Sequence, residues 1–232
     1  MASRSKGQKD GGATDGKSSK QQKVLSLDVL QHALDGVERT VNGTGFAFSK
    51  LSIPDEGLED IALLRGYVHV RYLVARDNSV SDISPLVKMS SLVSADIAGN
   101  AIHKLVAFPN RFLQVLDVSR NQLVGLAGFA APMLTYLKLD SNKITSLAGI
   151  SNCKLLQRLD VNDNLLESTA DIEDLPALQM LQLGDNAVTT VVGLGTLPAL
   201  EVLNLCGNNI DNLEGFTDAC EHLKVSGPFC PH

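Results

Sequence analysis

Gly11 to Ser18, GGATDGKS, satisfies the pattern G-x-x-x-x-G-K-[ST], in which loop amides and a helix N-terminus converge on the phosphates of a nucleotide. That chemistry needs a buried strand before the loop, and MASRSKGQKD offers none, so the match is read as chance in a Gly-, Lys- and Ser-rich stretch. Cys220, His222, Cys230 and His232 carry zinc-ligating atoms, but Cys-x-His pairs are not a usual structural-zinc spacing, and they are read as residues of a terminal cap. His32, His69 and His103 are read as surface or structural residues, and no HExxH, GxSxG, GxGxxG or close CxxC pair occurs. The expectation is therefore a non-enzyme without cofactor or metal. What remains is hydrogen-bonding chemistry in one column, Asn78, Asn100, Asn121, Asn142, Asn164, Asn186 and Asn208, spaced 22, 21, 21, 22, 22 and 22 residues apart.

Each asparagine sits in the same apolar frame, LxxLxLxxNxL, as in LTYLKLDSNKI (Leu134 to Ile144) and LEVLNLCGNNI (Leu200 to Ile210). This is the leucine-rich-repeat pattern. Leu137 and Leu139 alternate with Tyr136, Lys138 and Asp140, the period of a short strand with one buried face. The asparagine amide is expected to bond the backbone of the neighbouring turn, where an unpaired buried polar group costs about 1–3 kcal/mol. One repeat buries too little to stand alone, so the column predicts a continuous solenoid. The expected fold class is α/β: about eight repeats, short parallel strands on the concave face, turns or 3₁₀ segments on the convex side, and an N-terminal capping helix.

Residues 1–23 hold six Lys/Arg and two Asp with almost no apolar residues, and are read as a disordered basic tail. Residues 24–45 are read as capping helix and lead-in, because Leu27, Leu30, Leu34, Val37 and Val41 follow helical spacing behind Ser26 as N-cap. The repeats are expected over 46–217, the first with Glu56 in the asparagine position. A C-terminal cap over 218–232 would use Leu223 and Val225 as the strand of a cut-short ninth repeat.

The formal charge is −6, and the basic tail leaves 14 basic and 24 acidic residues in the remainder. An acidic body argues against nucleic acid as a ligand. No apolar leader and no long apolar run is present, so neither secretion nor a membrane is expected. Four cysteines are read as reduced intracellular thiols, which leaves the acceptor pattern Asn42-Gly43-Thr44 silent.

Strand alternation also predicts a surface. The residues separating the buried pairs face outward on the concave side, and ten of them are expected to bind protein: Tyr72, Arg76, Asp96, Asp117, Tyr136, Lys138, Asp140, Arg158, Asp160 and Gln182. A mostly acidic or neutral middle column suits an extended or helical segment with basic residues. Asp96, Asp117 and Asp160 are expected to tolerate charge reversal without loss of the fold.

The 22-residue repeat resembles two groups in which it occurs, phosphatase-regulating repeat proteins and axonemal dynein light chains. A narrower resemblance lies in Gly43 to Leu86, GTGFAFSKLSIPDEGLEDIALLRGYVHVRYLVARDNSVSDISPL. Its Gly-rich lead-in, aromatic-Ser-Lys-Leu strand, L-x-DI step and YxHxRYL strand followed by DxSPL resemble the family of leucine-rich repeat-containing protein 23, radial-spoke proteins of motile cilia and flagella. That resemblance implies a non-catalytic axonemal scaffold in the cytoplasm and cytoskeleton, whose partners are other radial-spoke or axonemal subunits. The alternative drawn from the broader class is a regulatory binding subunit of a protein phosphatase.

Overall fold

In each repeat the middle residue of a short strand and the residue two further on are the apolar pair that must leave water. Leu51 and Ile53, Leu137 and Leu139, and Leu203 and Leu205 are all buried, each fully buried Leu or Ile contributing about 1.5–3 kcal/mol. The computed structural model describes residues 22–210 and 224–226.

Among the described residues, ten strands form one sheet in chain order: β1 (Leu34–Arg39), β2 (Phe46–Ser52), β3 (Tyr72–Val74), β4 (Ser94–Asp96), β5 (Val115–Asp117), β6 (Tyr136–Lys138), β7 (Arg158–Asp160), β8 (Met180–Gln182), β9 (Val202–Asn204) and β10 (Lys224–Ser226). From β2 onward every pair is parallel and in one register: Lys50 lies beside Tyr72, then Ser94, Val115, Tyr136, Arg158, Met180, Val202 and Lys224. The eight strands β2 to β9 are the eight repeats read from the sequence. β10 carries Val225 as expected, whereas Leu223 and the Cys220, His222, Cys230, His232 set lie outside the described residues. The convex side is made of turns and short 3₁₀ segments such as Ser84–Lys88 and Ile150–Asn152.

The asparagine column behaves as its spacing predicts. Asn142 Nδ2 donates to the carbonyls of Val118, Leu139 and Asp140, while its Oδ1 accepts the N–H of Leu123. Asn100 repeats this with Ala75, Ile97, Ala98 and Val80, and Asn186 with Val161, Leu183, Gly184 and Leu166. Each amide thus closes its own turn and ties it to the preceding repeat. Glu56 fits that logic, because the first repeat has no predecessor to bond. Instead the N–H groups of Glu56 and Leu58 are taken by Asn78.

The sequence does not announce a second column. The residue before each asparagine, and before Glu56, has a left-handed backbone: Asp55, Asp77, Gly99, Arg120, Ser141, Asp163, Asp185 and Gly207, with φ between 53° and 67°. The chain reverses there so that the asparagine can turn inward.

The N-terminal cap corrects the expectation of a helix running to Val41. The helix α1 covers Leu27–Ala33 only, with Ser26 Oγ accepting the Val29 N–H as N-cap. The chain then becomes β1, an antiparallel partner of β2. Gly36 is the physical reason. It has φ +67°, donates its N–H to the Asp35 carboxylate, and leaves no room for a Cβ beside Ser49 Oγ, which itself donates to the Gly36 carbonyl. Leu25 and Leu30 supply the buried apolar contacts, while Leu27, Val37 and Val41 stay exposed. Lys23, at the end of the stretch read as tail, accepts a backbone bond from Glu59.

Candidate protein-interaction face

The shared register places the outward strand residues side by side across the concave sheet. Tyr72, Arg76, Asp96, Asp117, Tyr136, Lys138, Asp140, Arg158, Asp160 and Gln182 all belong to this face or its C-terminal rim. Their exposure differs widely.

The sheet centre is built around Asp160. Tyr136 Oη donates to Asp160 Oδ2 at 2.6 Å, and the Arg158 guanidinium donates to the same carboxylate through Nε at 3.0 Å and Nη2 at 2.9 Å. The guanidinium also lies over the Tyr136 ring, 4.8 Å from its centroid. Asp160 is only 3% exposed, which corrects its expected place among charges tolerant of reversal. It is a buried anchor beneath Tyr136 and Arg158. Burial, reinforced by the Asp160 carboxylate that accepts its hydrogen bond, pushes the Tyr136 phenol well above its ordinary value. The bond to Asp160 likewise raises Arg158.

The neighbouring acids are also engaged. Asp117 accepts Ser119 Oγ at 2.6 Å and pairs with Lys138 at 3.1 Å. Burial alone would lower the Lys138 ammonium, but the bond and charge of Asp117 outweigh it and hold it above its ordinary value. Asp96 lies 3.8 Å from Arg76, a solvated pair of the sort worth under about 1 kcal/mol. Asp140 accepts both the N–H and the side-chain amide of Asn162 at 2.9 Å, and Asn162 in turn accepts the Gly184 N–H. Burial raises the Asp140 carboxyl, and the Asn162 bonds offset part of that. The expected acidic groove is therefore largely satisfied from within. Three of its aspartates face Arg76, Lys138 and Arg158 on the same sheet.

Tyr72, at 42% exposure, is the most open aromatic of the predicted set. The ten residues expected to bind leave out Ser119 and Asn162, outward residues of the same alternation that brace the acids, and sequence reasoning missed Phe46 and Phe48, which extend the same face on β2. The alternation FAFSKLS carried a signal for the two phenylalanines. Among the described residues no group of His, Cys, Asp or Glu could hold a metal ion, and no helix is long and apolar enough to cross a membrane.

A sheet of short parallel strands with an inward asparagine in every turn decides the architecture. The chain is a leucine-rich-repeat solenoid. The family described as Leucine Rich repeats (2 copies) matches residues 176–218. Internalin C2 of Listeria monocytogenes superimposes with a TM-score of 0.63 at 22% identity, over 75% of this chain and 77% of that one. A leucine-rich-repeat protein of Leptospira interrogans gives 0.61 at 21% identity, over 73% and 46%. These likenesses show the fold alone. The resemblance read from Gly43 to Leu86 is supported by leucine-rich repeat-containing protein 23 of Bos taurus and of Homo sapiens. Each is 34% identical over 99 residues, 43% of this chain. The match spans 29% of the length of those relatives. Repeat solenoids present extended concave surfaces for binding, and the chain has the architecture of a protein-interaction scaffold.

Proposed function

We propose that this protein is a non-catalytic scaffold of the motile cilium or flagellum, a radial-spoke component that docks neighbouring axonemal proteins on its concave face. The observation that carries the docking half is the stack of Tyr136 and Arg158, locked by a buried Asp160 at the centre of the sheet. Tyrosine and arginine are enriched in binding hot spots, and side chains already fixed lose little entropy when a partner arrives. The axonemal half is supported by the similarity to leucine-rich repeat-containing protein 23.

A solenoid with this face acts by geometry. Its stacked strands hold a rigid row of side chains against which a partner segment can lie along the stack, so the protein fixes distances between neighbours without chemistry of its own. No nucleic acid, membrane or cofactor enters this reading. The test is a tagged copy expressed in a flagellated cell, followed through detergent extraction and crosslinking. Retention in the extracted axoneme with spoke subunits as crosslinked neighbours is the expected result. Release into the soluble fraction would sink the axonemal reading. Retention unaffected by Tyr136→Ala with Arg158→Ala would move the contact off the concave face.

A further inference from the structure

Beyond the concave centre, the N-terminal hairpin overhangs a second surface. Between the tip of the β1–β2 hairpin and the loops leading into β3, β4 and β5 lies an open groove of about 500 Å³, joined to a second of about 430 Å³. Val41, Ser91 and Phe112 line both.

Two apolar side chains are held out into this space by ordered backbone. Val41 is 52% exposed on a tip closed by Thr40, whose hydroxyl donates to Asn42 Oδ1 at 2.6 Å and whose carbonyl accepts the Gly43 N–H at 2.8 Å. Phe112 is 39% exposed on a loop pinned by the buried Asn110, which donates to the Met89 carbonyl and accepts the Phe112 N–H. Their exposure is therefore built in and is not the result of a loose loop.

The charge around them runs against that of the whole molecule. The chain carries −6, yet the residues lining the two grooves include Arg39, Arg71 and Arg111 and no Asp or Glu. Arg71 is engaged with Glu38 at 2.7 Å, whereas among the described residues Arg39 and Arg111 form no ion pair. A cationic, apolar cleft on an acidic body selects by charge. The basic segment 1–23 of this same chain is the wrong sign to fill it.

We propose that this groove docks an extended segment of another protein in which acidic residues flank a bulky apolar side chain, the apolar group entering between Val41 and Phe112 and the carboxylates meeting Arg111 and Arg39. This surface is separate from the concave centre and stands or falls independently of the axonemal reading.

The test is selection of short linear peptides from a random display library on the full chain, followed by fluorescence anisotropy of the enriched peptides. Enrichment of acidic residues beside Phe, Leu or Trp is expected, with affinity falling about tenfold or more on Arg111→Glu and on Phe112→Ala. Lys104→Glu, the same charge change on another exposed loop, and Tyr136→Ala should leave that affinity unchanged. Should either groove variant melt below the wild type, Val41→Ser at the hairpin tip probes the same contact from the opposite wall. The proposal is overturned by peptides without acidic residues, by affinities indifferent to the groove variants, by binding to phosphatidylserine vesicles in place of peptides, or by no enrichment.

Discussion

Asp96 and Asn100, Asp117 and Asn121, and Asp160 and Asn164 are spaced alike in their repeats, and each pair combines an outward acid with an inward amide. The amides all bond the same backbone atoms, three carbonyls and one N–H, whatever side chains surround them. Asp96 and Asp117 each also accept the N–H two residues on, but the side chains that the acids engage differ at every step: Arg76 for Asp96, Ser119 and Lys138 for Asp117, Tyr136 and Arg158 for Asp160. A polar column aimed at backbone repeats along a solenoid, while one aimed at side chains becomes individual. The individual column is where binding specificity can reside.

Breaking the amide column should cost most. Asn142→Leu strips an acceptor from the Leu123 N–H and donors from three carbonyls, and it should lower stability by about 3 kcal/mol or more. That is about 6–12 °C in a thermal melt of a chain of this size. An unchanged melting temperature would refute the bridging role of the column.

Asp160→Lys should come next, at about 3 kcal/mol, because it buries an unpaired cation against Arg158. Denaturant unfolding measures this, and a loss below about 1 kcal/mol would mean that Asp160 is not the anchor its burial implies. Tyr136→Phe removes one charge-assisted bond to Asp160 and should cost about 1.5–2 kcal/mol. The contribution of that bond should be present at neutral pH and fade as pH rises through the raised phenol value, since the raised group is stabilised in its protonated form.

Asp96→Lys breaks only a solvated contact and should change stability by under about 0.5 kcal/mol. A larger loss would mean that the outward acids differ less than the structure indicates. The smallest effect belongs to Asp140→Asn. Burial raises that carboxyl, so its charged form is disfavoured in the folded chain. Its protonated form favours folding at pH below the ordinary carboxylate value, and that advantage is lost as pH rises through the raised one. The Asn variant should therefore melt slightly higher than wild type at neutral pH, with the gain vanishing in acid. A lower melting temperature at pH 7 would mean that the Asn162 bonds outweigh burial.

The same contrast explains what could be read from the sequence. The asparagine column, the register and the buried leucine pairs were legible because each depends only on spacing along the chain. The burial of Asp160 was not, because it depends on Tyr136 of the preceding repeat and Arg158 two residues back closing over it together. The left-handed column was hidden because Arg120 and Ser141, held there by the turn, interrupt a run of Asp and Gly, which favour that region. The cap helix was overextended for a different reason. Leu27, Leu30, Leu34, Val37 and Val41 do keep helical spacing, but Gly36 and the free edge of β2 offered the segment a sheet partner that periodicity cannot see.

The asparagine bonds also have a direction. Every amide reaches back to the repeat made before it, so a chain emerging from the ribosome presents each new asparagine to acceptors that already exist. Lengthening such a solenoid at its C-terminal end requires no change in the existing turns, because the newcomer brings its own clasp. Lengthening it before the first repeat would require Glu56 to become an asparagine. The two ends of the stack are thus chemically unequal: one can accept a further turn as it stands, and the other is closed by the hairpin.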